Sequence, residues 1–508
     1  MRREDTLELV RSRKEPWDVV VIGGGATGAG CALDAASRGL SVLLLEQSDF
    51  GKGTSSRSTK LIHGGVRYLQ QGNVSLVREA LAERELLIEL APDFVKPKPF
   101  IVPCFGRTEK LYYGAGLKIY DALAGKRSLG RTDLLSLEET RNALPGLSGK
   151  GLTGGVRYLD AQFDDAGFLL AILETAEDQG AAALNYAKVE QITPGKLCRI
   201  SFRDGPGGEM IEIESRAVIN AAGVFADRVE SLATGEPPSR ITFSQGIHLV
   251  FDPEFLPGTN ALMIPKTSDG RVLFAIPWLG KLLVGTTDTP VEEPKLEPSA
   301  LESEIEFVLE TCAGFFERIP ERRDIRSVFA GIRPLVKGKR EKGTSRISRE
   351  HIVETSVPGM VSVRGGKWTT FRRMAKDAVD NVVEIAGLAA GPCRTDEIRV
   401  RDKALERSKA LVSGDPGLAE PIAPGLPYTK ADVVEAVRTG KALRLEDVLA
   451  RRTRLLFLDA RIALEAAVPA AELMASELGW SVDRVEAEMR DFRDVALTYL
   501  PPGPRDHS

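Results

Sequence analysis

Four groups of residues in this chain could do chemistry. Gly23-x-Gly25-x-x-Gly28 opens a short helix-like stretch, and Glu46 ends the next apolar run. Glycines at this spacing permit a tight turn, close approach of backbone to a pyrophosphate, and packing of a helix against a strand. A helix that starts there points unpaired N–H groups and its positive dipole end at phosphate. An acid about 20 residues further on accepts hydrogen bonds from ribose hydroxyls. A dinucleotide binds here, but the fingerprint alone does not separate FAD from NAD. The next stretch, TSSRSTKLIHGGVRY at 54–68, is dense in hydroxyls and glycines. It could bond a second phosphate and bring side chains to a flavin ring, which favours FAD over the bland reading as a polar surface loop.

The other groups are cations and imidazoles. Of four histidines, His63 and His248 are the useful pair, because an imidazole titrates near working pH and can accept a proton. Gly64 and Gly65 beside His63 permit close backbone approach to a ring. An arginine's planar fork suits phosphate oxygens, although any single one of the 68 basic residues is more often a solvated charge. Lys367 follows Gly365-Gly366 and could set an ammonium beside a flavin. No HExxH, no Cys/His cluster with ligand spacing and no GxSxG occurs, so no metal site is expected.

Positioning these residues takes a βαβ unit: a strand at 19–22, a helix at 26–38 ended by Gly39, and a strand at 40–45. Three later strands feed functional loops: 218–220 into Ala221–Gly223, 328–332 into Arg333-Pro334, and 360–363 into Gly365-Gly366 with a helix at about 370–385. Runs such as RVLFAIPW and KLLVGTTD predict an interleaved, mostly antiparallel sheet. Beyond about residue 395 the periodicity is helical, with Thr429 and Ser481 as N-caps.

Composition excludes other classes. The 508 residues hold 68 Lys plus Arg against 72 Asp plus Glu, a net charge of −4, which argues against a nucleic-acid partner. The run Arg451-Arg452-Thr453-Arg454 is the nearest basic candidate, and pairing within the protein is its simpler reading. Five scattered cysteines form no disulfide framework and suggest a reduced compartment. No apolar run reaches the roughly 18–20 residues that span a bilayer, and the N-terminus lacks the apolar core of a secretory signal.

Taken in order, VVIGGGATGAG, TSSRSTKLIHGGVRYL, FDDAGFLLAILETA, INAAGVFAD, SQGIHLV, IPWLGKLLVGTTDT, GIRPLV, SRISREH and GGKWTTFRRMA resemble the FAD-dependent, membrane-associated glycerol-3-phosphate dehydrogenases of aerobic respiration. The resemblance covers nearly the whole chain. It implies an α/β protein with a Rossmann-like FAD-binding domain of the glutathione-reductase or D-amino-acid-oxidase type, an interleaved mixed or antiparallel substrate domain, and an all-helical C-terminal domain. The expected boundaries are an arm at 1–16; FAD-binding pieces at 17–90, 150–240 and 325–390; substrate-binding pieces at 91–149 and 241–324; helices at 395–498; and a tail at 499–508.

The implied reaction oxidises sn-glycerol 3-phosphate to dihydroxyacetone phosphate and passes electrons to a quinone. By the same resemblance His63, His248, Arg333 and Lys367 are catalytic, and Arg67, Tyr68, Arg333 and Arg349 bind substrate. Gly23, Gly25, Gly28, Glu46, Thr54, Ser55, Ser58, Lys60, His63, Gly64, Gly65, Ala222, Gly223, Gly366, Lys367 and Thr369 hold FAD. Implied partners are glycerol 3-phosphate, a quinone and a membrane surface, with room for a homodimer and none for nucleic acid. The implied location is cytoplasmic, at the inner face of the cytoplasmic membrane, through the apolar stretch 111–123 or the basic loop 337–342. An oxidase that uses O₂ and an amino- or hydroxy-acid oxidase are the alternatives; the lack of a long central insertion favours the dehydrogenase.

Overall fold

Side chains of the strand Trp17–Ile22 alternate between two apolar layers. Val19 and Val21 lie under the helix Ala26–Ser37, and Val20 and Ile22 lie in the opposite layer. A parallel strand covered on both faces needs apolar residues throughout, which accounts for the unbroken VVVI. The computed structural model describes residues 2–66, 69, 73–236, 241–336 and 351–501.

Trp17–Ile22 pairs in parallel with Val42–Leu45 on one side and Met210–Asn220 on the other. Ala182–Leu184 and Met360–Gly365 extend the parallel run outward. The antiparallel strands Ala187–Thr193 and Cys198–Asp204 lead back into Met210–Asn220, and His351–Val357 closes the far edge. The helices Ala26–Ser37, Asp165–Asp178 and Phe371–Ala386 cover one face. The segment expected as an N-terminal arm folds as the helix Arg3–Ser12. Its Leu7 and Val10 join the opposite layer, and Arg3 donates to Asn185 O and, at 2.6 Å, to Asp204.

The second sheet is mixed and mostly antiparallel. Its long pairs are Val95–Cys104 with Gly154–Phe163 and Ile241–Phe251 with Ser327–Val336. Leu273–Trp278 and Lys281–Gly285 continue from Ile241–Phe251, and Ala261–Ile264 joins the two halves through a parallel pairing to Val95–Cys104. Three expected pieces change here. Leu61–Ile62, Gly154–Phe163 and Ser327–Val336, placed by sequence among the FAD-binding pieces 17–90, 150–240 and 325–390, belong to this sheet. Local pattern identifies a strand, but its sheet is decided by partners far away in the chain. Arg333 therefore lies inside a strand and not in a loop beyond one.

Alternation along Ile241–Phe251 separates core from site. Ile247, Leu249 and Phe251 pack with the helix Glu302–Phe315. Gly246, His248 and Val250 project to the other face, where Val250, Phe329 and Leu283 meet the helical C-terminal domain. That domain is built from Lys403–Gly414, Lys430–Arg438, Ala460–Leu478 and Val482–Thr498. Thr429 caps the second helix in a capping box with Asp432, and Ser481 Oγ accepts from Arg484 N. The architecture is the expected one: an α/β dinucleotide domain, an interleaved mixed sheet and a helical C-terminal domain.

Candidate active site

Two cavities, about 460 and 250 Å³, share Ala26, Thr27, Thr54, Ser55 and Gly223 and so form one trench. The larger lies over the first strand–helix turn. Gly23 has φ +113°, and a β-carbon at Gly28 would sit 1.8 Å from Gly23 O, so close helix–strand contact demands glycine at both. Gly25, next to the helix N-terminus, faces the cavity itself. Glu46 accepts from Gly24 N at 2.7 Å and from Ser48 N at 2.9 Å. Burial pushes its carboxyl up, and the two N–H groups pull it back. Ala222 and Gly223 line the opposite wall. Backbone donors at a helix N-terminus, a buried acid beyond them and a wall without bulky side chains fit a dinucleotide diphosphate and its ribose.

The loop after the first βαβ unit is tied to everything around it. Thr54 Oγ1 donates to Ile332 O at 2.6 Å, Ser55 Oγ accepts from Ala26 N, and Trp368 Nε1 donates to Ser55 O at 2.8 Å. Ser58 Oγ donates to Asp165 at 2.7 Å. Arg57 reaches Glu297 at 2.6 Å, and Glu297 also accepts from the Tyr499 hydroxyl. Thr369 Oγ1 brackets the backbone of His63, accepting from its N–H and donating to its carbonyl. Gly64 N donates to the Tyr120 hydroxyl at 2.8 Å, which in turn donates to Asp160, the partner of Arg84.

The smaller cavity holds the reactive groups. His63, His248, Arg333 and Lys367 all line it, although their sequence positions are far apart. His248 is 2 % exposed, its ring stacks on Phe329 with centroids 5.0 Å apart, and Nε2 is 3.0 Å from Thr59 Oγ1. Burial, then Lys60 and Arg333, hold its pKa well below the ordinary 6.5. The ring is thus neutral at physiological pH and has a lone pair to offer. Arg333 is aimed by donation to Thr287 O at 3.1 Å and Thr286 Oγ1 at 3.0 Å, with Asp288 beyond. Gly365 and Gly366 have φ +73° and +82°, turning the backbone toward the cavity just before Lys367. One trench therefore joins a dinucleotide seat to a pocket with an anion-binding guanidinium and a neutral base.

Residues 18–372 match the family model "FAD dependent oxidoreductase", and 403–485 match "C-terminal domain of alpha-glycerophosphate oxidase". A probable mitochondrial glycerol-3-phosphate dehydrogenase of Caenorhabditis elegans is 37% identical over 98% of this chain and 75% of its own. A mitochondrial glycerol-3-phosphate dehydrogenase of Arabidopsis thaliana is 36% identical over 98% and 88%. The chain belongs to the FAD-dependent glycerol-3-phosphate dehydrogenase family. A solved glycerol-3-phosphate dehydrogenase from Bacillus halodurans, complexed with FAD, superposes with a TM-score of 0.78 at 26% identity, covering 98% of both chains. An L-alpha-glycerophosphate oxidase from Mycoplasma pneumoniae shares the fold at 17% identity and a TM-score of 0.58 over 74% of this chain.

Within this family site, the cavities bring together Gly23, Gly25, Glu46, Thr54, Ser55, Ser58, His63, Ala222, Gly223, His248, Arg333, Gly366, Lys367 and Thr369. Arg67, Tyr68 and Arg349, and the loop 337–342, lie outside the described residues. Gly28 acts through packing; Gly64 and Gly65 line neither cavity, and Gly64 lies against Tyr120 and Leu81. Lys60 is a correction. It lines neither cavity; its ammonium is fully buried, donating to Asp165 at 2.6 Å and Ser56 O at 2.7 Å among the rings of Trp278, Phe329 and Phe457. Its backbone, at φ +63°, turns the side chain away from the trench. Burial pulls its pKa down to about 7, and Asp165 opposes this. Sequence reasoning missed Thr59, the partner of His248, and the Arg57–Glu297 pair. The hydroxyl-rich TSSRSTK pointed to the loop, but not to which hydroxyl meets which ring.

Proposed function

We propose that the chain oxidises sn-glycerol 3-phosphate to dihydroxyacetone phosphate with FAD as cofactor and delivers the electrons to a quinone at a membrane surface. The observation that carries the reading is the placement of His248 and Arg333 on one face of the second sheet, in a pocket continuous with the dinucleotide seat. FAD, held by the Gly23–Gly28 turn, Glu46 and the Thr54–Ser55 loop, would supply the hydride acceptor for the carbinol carbon. The chain's own groups do the rest. The Arg333 guanidinium takes two oxygens of the phosphate dianion, and Arg349 is proposed to share that charge. An imidazole, His248 or His63, takes the hydroxyl proton; Thr59 holds the His248 ring in place. The Lys367 segment supplies positive charge and turned backbone N–H groups at the cofactor side. Trp368, Leu61 and Met374 exclude water from the same pocket.

The helix Arg107–Ala124 supports the membrane part of the proposal. Leu111, Tyr112 and Ile119 are 67%, 63% and 53% exposed, and with Ala115 and Ala122 they follow helical spacing on the outward side, beside Arg107 and Lys118. Leu117 and Tyr120 fill the inward side. An outward apolar stripe edged with cations fits an anionic lipid surface. No helix among the described residues is long and apolar enough to cross a membrane. The proposed location is accordingly peripheral, at the inner face of the cytoplasmic membrane.

The test is spectroscopic. The purified protein is expected to be yellow and to bleach when glycerol 3-phosphate is added without oxygen; a colourless protein that takes up no FAD overturns the reading. Recovery of colour by a soluble quinone faster than by dissolved O₂ identifies the dehydrogenase, and the reverse order identifies the oxidase.

A further inference from the structure

The face that carries His248 and Arg333 has no side chain at three places. Cross-strand register sets His248 opposite Gly285 and Phe329, Gly246 opposite Gly331, and Ser244 opposite Arg333. Paired residues, and residues two apart on a strand, project to the same face. None of these three glycines has a left-handed φ, so their backbone conformation does not call for glycine. What each leaves room for differs. A β-carbon at Gly285 would meet both the His248 ring, at 2.4 Å, and Ile247 O, at 2.7 Å. One at Gly331 would touch the backbone of Arg57 at 3.0 Å. At Gly246 the three nearest atoms are all side-chain atoms: Arg333 Nη2 at 2.3 Å, Thr286 Oγ1 at 2.5 Å and Arg333 Nη1 at 2.7 Å.

The space above Gly246 is thus filled by the guanidinium. Arg333 starts level with Ser244 and lies back across the sheet to the level of Gly246, two residues short of His248. At about 3.3 Å per residue, the guanidinium and the imidazole are anchored only about 7 Å apart along the strand. A side chain at 246 would push the guanidinium away and lengthen that interval.

We propose that Gly246 is a positioning residue that sets the substrate length: its missing side chain seats Arg333 close to His248, so that the site accepts a phosphate one methylene from the carbinol. The identity of the substrate in this statement rests on the proposed function; the seating of Arg333 does not.

The experiment uses the FAD-loaded enzyme, wild type and Gly246→Ala, with glycerol 3-phosphate, with 3,4-dihydroxybutyl phosphate as the homologue one methylene longer, and with inorganic phosphate as a non-reacting ligand read by perturbation of the flavin spectrum. The expected result is a KM for glycerol 3-phosphate raised about 10-fold, kcat per bound flavin within about twofold, weaker binding of inorganic phosphate, and a preference between the two substrates shifted at least about fivefold toward the longer one. The double variant Gly246→Ala/Arg333→Ala is expected to be no worse than Arg333→Ala alone, because the guanidinium is gone and the Thr286 hydroxyl, no longer held by it, is free to turn aside. An unchanged substrate ratio, or additive losses in the double variant, overturns the proposal. Should Gly246→Ala fail to hold FAD, recovery of flavin in the double variant supports the proposal, and failure to recover assigns Gly246 to packing. A wild-type enzyme inert to glycerol 3-phosphate sinks the proposed function instead, while the phosphate titration still decides the seating of Arg333.

Discussion

Arg454, the last of the run at 451–454, and the cations of the small cavity meet the same loop: Arg454 donates to Ser56 O, while Arg333 and Lys367 line the cavity beside Ser58, Thr59 and His63. Arg451 is 2 % exposed and is paired with Asp49, with Glu446 at 2.7 Å and with Asp447 at 2.8 Å. Arg452 shares Asp49, and Arg454 joins Asp165 at 3.0 Å and Ser56 O at 2.9 Å. Burial alone would push the Asp49 carboxyl up; Arg452 and Arg451 outweigh it and hold its pKa below the ordinary range. These guanidiniums join the helical domain to the dinucleotide domain and offer no surface to a nucleic acid. Arg333 is also buried for the most part, yet it lines a cavity, and Thr286 and Thr287, which accept from it, are neutral, with Asp288 farther off at 3.5 Å. Dense charge in sequence marks the structural clamp. The isolated arginine in GIRPLV lines the cavity proposed as the substrate site.

Four substitutions would break or sharpen that contrast. Arg451→Ala removes the one guanidinium that bridges three buried carboxylates, leaving Asp49 to Arg452 and Glu446 to Lys52, and is expected to cost about 3–5 kcal/mol; thermal unfolding of the holoenzyme checks it, and a loss below about 1 kcal/mol would dissolve the distinction. Arg333→Ala is expected to leave the unfolding temperature nearly unchanged while kcat/KM falls roughly 10- to 100-fold, the equivalent of about 1.5–3 kcal/mol for lost charged hydrogen bonds. Steady-state kinetics per bound flavin decide this.

A smaller effect concerns His248. Its folded pKa lies below the unfolded value, so the imidazole's stabilising contribution is complete above pH 6.5 and is lost as the pH falls from there toward the folded pKa. From pH 6.5 to 5.5 that slope is worth about 1 kcal/mol. Urea unfolding at the two pH values should therefore show a smaller acid loss in His248→Gln than in wild type; equal losses would mean that the ring is charged in the folded protein. Least of all, Leu111→Ser on the outward stripe should change stability by less than about 0.5 kcal/mol while reducing sedimentation with anionic liposomes. Unaltered sedimentation would remove the helix from the proposed membrane contact.

The dinucleotide seat was legible because its chemistry is local. The turn at Gly23–Gly28, the helix behind it and Glu46 lie within one βαβ unit, and the contacts of Gly28 with Gly23 and of Glu46 with Gly24 stay inside it. The substrate pocket was legible as a set of residue types but not as geometry. His248 and Arg333 meet because Ile241–Phe251 pairs with Ser327–Val336, and register between strands so far apart is not written in either strand alone. Lys60 shows the same limit from the other side. It sits in the right loop, but a left-handed backbone and the distant Asp165 carry it away from the cavity. Gly246 looked like any other glycine in a strand until its neighbours were known.

Tyr120 sits on the inward side of the helix Arg107–Ala124, and its hydroxyl receives the Gly64 N–H. The same helix turns Leu111 and Ile119 outward. A single phenol ring therefore separates whatever rests against the enzyme's outer surface from the peptide unit that carries His63. In the proposed membrane-bound state, one helix and one hydrogen bond join the contact surface to the peptide next to His63.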